Sequence, residues 1–251
     1  MTEGYLPNLL PSHIMDAMEE LGRNISRFRS ADMVMRDSPA EYLLKGVIPR
    51  RGVVAIYGPP GSGKSFLAID LAFQSAHGSP LYFGIRLKDA PVVYVGLEGQ
   101  HGISQRMRAW QMHNGVEIGD RVAIFTESFR LDDPASVDEL AAEAVTWCGD
   151  ACLIIIDTLA QAMAGFDENN SAEMGAAIAG AQKLAAGTRG LVILVHHTGK
   201  DTSKGLRGHS SLLGALDAAI EVKARSGGRS WKVMKSKDGE AGQECGFELA
   251  I

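Results

Sequence analysis

Short, uninterrupted apolar runs punctuate the chain at Val53–Tyr57, Val92–Leu97, Val122–Phe125, Leu153–Ile156 and Leu191–Val195. Between them, at Ser65–Ala76, Ile103–Met112, Ala135–Trp147 and Ala172–Ala186, apolar positions recur with helical spacing. Runs without polar alternation are strands covered on both faces, as in a parallel sheet; the helical stretches are the elements that cover it. The alternation predicts an α/β fold with a mostly parallel sheet flanked by helices. After Asp217 the rhythm changes. Ala218–Lys223, Trp231–Lys235 and Gly246–Ile251 are strand-like pieces broken by Gly227-Gly228 and Asp238-Gly239. They predict antiparallel edge strands at the C-terminal end.

Ahead of the first strand lies a different piece. Ser12 is placed to cap a helix carrying Ile14, Met18, Leu21, Ile25 and Phe28 on one stripe. That stripe needs a partner, either its own domain or a neighbouring subunit. The expected organisation is a helical arm over residues 1–40 and one α/β domain over 41–251.

Composition narrows the class. A chain of 251 residues buries enough surface to need neither disulfides nor a structural metal. With 45% apolar and 22% charged residues it is neither fibrous nor wholly disordered. No apolar run reaches the ~18 residues of a membrane-spanning helix. The opening MTEGYLPNLLPSH does not join a basic segment to an apolar block. The expectation is a cytoplasmic protein without a membrane partner. Cys148, Cys152 and Cys245 form no Cys-x-x-Cys pair and read as small hydrophobes. The net charge of -5 argues against indiscriminate polyanion binding and leaves room for a local basic channel.

One segment carries chemistry on its face. Gly58-Pro59-Pro60-Gly61-Ser62-Gly63-Lys64-Ser65 fits G-x-x-x-x-G-K-S/T, with a strand before it and a helix after it. Its backbone N–H groups can turn inward around phosphate oxygens, and the following helix offers its positive end to the same anion. Lys64 is the cation for the β- and γ-phosphates of ATP, and Ser65 supplies a hydroxyl ligand for Mg²⁺.

Hydrolysis needs further groups. Asp157 ends the run Leu153-Ile154-Ile155-Ile156, the position of a carboxylate that holds Mg²⁺ through its hydration shell; a turn cap is the plainer alternative. Residue 158 is Thr rather than Glu, so a base for the attacking water has to come from elsewhere. Glu98, ending Val92–Leu97, is delivered to the same sheet edge and is either that base or an exposed turn carboxylate. Leu191–Val195 leads into His196-His197. His197 is placed to meet the γ-phosphate or its water, whereas His196 should face the other way.

Taken together, GPPGSGKS, YVGLEGQHGISQRMRAW, IIIDTL, VHHTGK and GLRGHSSL resemble a RecA-like P-loop ATPase. Within that group the chain is similar to the RepA-type hexameric replicative helicases of plasmids and phages, over roughly residues 28–240. The resemblance implies a ring-forming, Mg²⁺-dependent ATPase that moves along single-stranded DNA, with a homohexamer and a primase or replication-initiation proteins as partners. It carries the glutamate, aspartate and histidine roles to Glu98, Asp157 and His197. It also implies that Arg207 reaches a neighbouring subunit's nucleotide, and that Lys235-Ser236-Lys237 stands where ring helicases carry a Lys-x-Arg finger. Lys237 lacks arginine's planar two-pronged contact, and a solvated strand end is the alternative for this pair. In RecA-like rings the segments after the aspartate and after the histidine line the channel, here 162–171 and 199–209. Lys200, Lys204 and Arg207 are the phosphate-gripping candidates, and Phe166 is the one aromatic in either segment. Two other classes stay open: a RecA/RadA-like recombinase or recombination mediator, and a nucleotide-switched regulatory ATPase without motor activity.

Overall fold

A computed structural model describes residues 30–36, 39–149, 151–167, 170–198 and 210–249. The chain forms two units, Met1–Pro39 and Ala40–Ile251. In the first, the described part is a five-residue helix, α1 (Ala31–Met35), with an Asp32–Arg36 ion pair at 2.7 Å. The Ser12-capped helix and its apolar stripe lie outside the described residues.

The second unit is built on one eight-stranded sheet. It is formed by β3 (Gly52–Gly58), β6 (Val92–Gly96), β7 (Val122–Phe125), β8 (Leu153–Asp157), β9 (Leu191–His197), β10 (Ala218–Arg225), β11 (Gly228–Ser236) and β12 (Glu244–Phe247). Across the sheet the order is β12-β11-β10-β3-β9-β8-β6-β7. Every pairing from β10 to β7 is parallel, and β11 and β12 add antiparallel pairings at one edge. The C-terminal pieces therefore split: β10 joins the parallel sheet beside β3, and the antiparallel turn comes after it. Two small antiparallel pairs, β1 (Tyr42–Leu44) with β2 (Ile48–Pro49) and β4 (Leu81–Tyr82) with β5 (Ile85–Arg86), lie outside this sheet.

The sheet is hydrophobic on both faces because each face has its own cover. Alternate residues of β3 divide cleanly: Val54 and Ile56 enter one core, Val53, Ala55 and Tyr57 the other. The first core is closed by α2 (Lys64–His77) and α3 (Gln100–Asn114), through Leu67, Leu71, Phe73, Ile103 and Trp110. The second is closed by α4 (Pro134–Cys148), α5 (Leu159–Ala162), α6 (Ser171–Gly187) and α7 (Ser210–Ala215), through Val137, Leu140, Met174 and Leu184 among others. Cys152 lies in this second core and Cys148 packs against it. Helix ends follow local chemistry: Asp133 caps α4 and Asn170 caps α6 through their side chains, and Gly78 and Gly115 close α2 and α3 in left-handed conformations. No described helix is long and apolar enough to cross a membrane.

This architecture matters for chemistry because parallel strands deliver all their C-terminal ends to one edge. In register, Gly58 lies opposite His197, and Gly96 lies opposite Asp157.

Candidate active site

The loop between β3 and α2 is shaped by two close approaches. A Cβ on Gly58 would fall 2.1 Å from the Val222 carbonyl oxygen, so glycine there lets β10 pack against the start of the loop. Gly63 precedes α2 with φ +99°, and a Cβ on it would meet the Arg229 side chain at 3.0 Å. No side chain caps α2, so no side-chain acceptor competes for the donors at its first turn.

Lys64 folds back over this loop. Its Nζ donates to the Gly58 and Pro59 carbonyl oxygens, both at 2.9 Å. Burial pushes the Lys64 ammonium below its ordinary range, while Asp157 and Glu98 pull it back up. The lysine is buried, with two neutral acceptors holding its charge.

Asp157, at the end of β8, is 3% exposed. The Tyr94 hydroxyl donates to its Oδ2 at 2.5 Å, whereas the buried Oδ1 has no hydrogen-bond partner. Burial raises the carboxyl above the usual range, and the hydroxyls of Tyr94 and Ser65 offset part of that. The next residue uses its hydroxyl differently: Thr158 Oγ1 donates to Glu98 Oε2 at 3.2 Å. The two carboxylates therefore come with their own positioning hydroxyls, one from β6 and one from the turn after β8.

These groups surround one cavity of about 380 Å³, lined by Lys64, Ser65, Glu98, Asp157, Thr158 and His197, together with Pro60, Gly61 and Gly63. His197 is its contribution from β9, and the neighbouring His196 is fully buried. The sequence alone assigns no site role to Thr158, Tyr94, Arg106 or Arg229. Thr158 and Tyr94 touch the carboxylates, and Arg106 and Arg229 line the cavity. Arg106 comes from α3 with its guanidinium 5.3 Å from the Phe66 ring. A second cavity of about 520 Å³ between α2 and α3 shares Phe66, Arg106 and Leu249 with the first. The donor set fits a hydrated divalent cation: a hydroxyl on Ser65 and a buried, unpartnered carboxylate oxygen on Asp157.

Other candidates lie elsewhere. Lys200, Lys204 and Arg207 are outside the described residues. Lys235 Nζ donates to the carbonyl oxygens of Leu213 and Gly214 at 2.7 and 2.9 Å, and Lys237 pairs with Asp217 at 3.4 Å. With β10 between them and β3, Lys235 is level with Ala55 and Lys237 follows Ser236, which is level with Val54. Both therefore stand short of the phosphate-loop edge, Lys237 further than Lys235. Phe166 packs against the second core with the Arg130 guanidinium 4.9 Å from its ring.

A glycine-rich loop between strand and helix, a buried lysine over it and a strand-end aspartate share one edge of a parallel sheet; a family model described as an AAA domain matches residues 22–203. That match spans well over half of the chain, and the protein belongs to this AAA-domain family of nucleotide-binding P-loop ATPases.

Proposed function

We propose that the chain is the Mg²⁺-dependent motor ATPase of a ring-forming, RepA-type replicative helicase that moves along single-stranded DNA. The observation that supports hydrolysis rather than binding alone is the Glu98–Thr158 pair facing the phosphate loop across one cavity. On this reading the water that attacks the γ-phosphate is oriented by Glu98, whose position Thr158 fixes. Lys64 leaves its two carbonyl partners for phosphate oxygens, exchanging neutral acceptors for charged ones. His197, next to Gly58 in register, holds the γ-phosphate or its water through a hydrogen bond. Ser65 and, through water, Asp157 would hold Mg²⁺, which would supply charge neutralisation on the phosphate oxygens. Tyr94 keeps Asp157 Oδ2 occupied and leaves Oδ1 for that role.

The helicase part rests on the motif resemblance, including Arg207 as a trans-acting group and Lys200 and Lys204 as backbone contacts in a hexamer. Primase or replication-initiation proteins are the partners that reading implies. The test is steady-state ATP hydrolysis with and without single-stranded DNA across a salt series, with Lys64→Ala as the blank. Strong stimulation that fades with salt is the expected result. Hydrolysis indifferent to DNA would replace the motor with a nucleotide-switched regulatory ATPase. Stimulation accompanied by open filaments instead of closed rings would favour the recombinase class.

A further inference from the structure

We infer that Arg229 holds the α- and β-phosphates of the nucleotide from within the same subunit, as a binding residue that β11 adds to the phosphate loop. The inference rests on the nucleotide reading of the same cavity, and its test separates the two.

Strand direction puts this arginine in place. β11 runs antiparallel to β10, and Arg229 pairs with Ala224, three residues past the Glu221 that lies opposite Tyr57 near the end of β3. Arg229 therefore stands beyond the end of β3, at the level of the loop. Its side chain lies over Gly63, with Cδ 3.0 Å and Nε 3.3 Å from where a Cβ on that glycine would be. It also lines the cavity that holds Lys64 and Ser65.

Its hydrogen bonding is incomplete. Nε is buried without an acceptor, and among the described residues no carboxylate lies within ion-pair distance of the guanidinium. By contrast, Arg121, Arg130 and Arg225 each meet a carboxylate. A buried donor on a permanent cation is costly to leave unpaired, and the oxygens of a phosphate match a guanidinium's fork. Cations and anions around the cavity agree: Lys64, Arg106 and Arg229 outnumber Glu98 and Asp157.

Position along the phosphate chain follows from the neighbours. Glu98, Asp157 and His197 mark the γ-phosphate end. Arg229 lies instead over Gly63 of the loop, whose backbone donors cradle the α- and β-phosphates, so it faces those two.

The experiment is a binding titration of the full chain with ADP and with a non-hydrolysable ATP analogue. Arg229→Gln keeps much of the aliphatic stem over Gly63 and removes the charge. We expect it to weaken both ligands about 10- to 100-fold, with their ratio unchanged. Arg229→Lys should recover part of that loss as a point charge. An unchanged thermal midpoint of the ligand-free variant shows that the loss is not one of folding; if it shifts, Arg229→Lys carries the comparison. Unaltered ADP affinity overturns the inference, as does a loss confined to the ATP analogue. A wild-type chain that binds neither ligand overturns the nucleotide reading itself, whatever Arg229 does.

Discussion

Glu98 and Asp157 are both carboxylates at strand ends, yet their surroundings give them different work. Asp157 is buried, with one oxygen taken by Tyr94 and its carboxyl pushed upward by burial, an environment that a cation at Oδ1 would relieve. Glu98 is exposed and receives one hydroxyl from Thr158, which leaves its second oxygen for a water. Gln in place of Glu98 preserves shape and an acceptor for Thr158 but removes the charge that draws a proton from that water. Glu98→Gln should therefore bind ATP as the wild type does and lose hydrolysis by about 10²- to 10⁴-fold. The check pairs nucleotide titration with single-turnover hydrolysis. Loss of binding together with hydrolysis would show that Glu98 shapes the site instead of acting on the water.

Most elements were legible as runs and periods because each strand is buried on both faces and each long helix covers one of them. Boundaries from the run at Val53 to Ala218 moved by at most three residues, Leu191–Val195 against Leu191–His197 and Ile103–Met112 against Gln100–Asn114. The expected strand Gly246–Ile251, by contrast, shares only Gly246 and Phe247 with β12. The two-residue strands β2, β4 and β5, and the short α7, were not legible, since such pieces carry no period. Arg229 escaped for a different reason: its place in the site is set by strand pairing between elements distant in sequence, which no local motif encodes. Arg106 lies inside YVGLEGQHGISQRMRAW, where nothing in the sequence marks which of the two arginines lines the site. Helix α6 shows the same limit in a form that can be measured. Gly175 and Gly180 both look like helix weakeners, and propensity alone says Ala would stabilise either by about 1 kcal/mol. A Cβ on Gly175 meets nothing within 4 Å, whereas one on Gly180 would lie 1.8 Å from the Leu131 carbonyl oxygen. Backbone cannot swing aside as a side chain can, so the clash wins at Gly180. Thermal or urea unfolding should show Gly175→Ala raising stability by up to about 1 kcal/mol and Gly180→Ala lowering it by about 1–3 kcal/mol. Shifts of the same sign would mean that α6 stands further from the chain at Leu131 than described.

At the scale of the whole ATPase unit, β11 separates two groups of cations. Arg229 stands at the phosphate-loop edge, whereas, across β10, Lys235 is level with Ala55 in the middle of β3 and Lys237 follows Ser236, which is level with Val54. At about 3.3 Å per residue, Lys235 lies roughly 10 Å and Lys237 roughly 16 Å short of Gly58 along the strands, and the two strand spacings add about 10 Å sideways, beyond the reach of a lysine. If either serves hydrolysis, it serves a neighbour's nucleotide, and the subunits must meet head to tail, with one sheet edge facing the other's site. Lys235 is the poorer probe, because its ammonium holds the last carbonyls of α7 and its loss would disturb that turn. Lys237 makes an exposed pair with Asp217, of the kind that contributes little to stability, so Lys237→Ala should fold. As a trans-acting group it should cost on the order of 10³-fold in hydrolysis when lost. Mixing then decides its place. Lys64→Ala subunits cannot hydrolyse but still present Lys237, and Lys237→Ala subunits keep an intact phosphate loop. Combined, the two inactive proteins should recover activity that peaks at intermediate ratios. Full activity of Lys237→Ala alone, or no recovery at any ratio, would leave Lys237 as a solvated strand end and assign the neighbour's cation to another residue, with Arg207 the next to test.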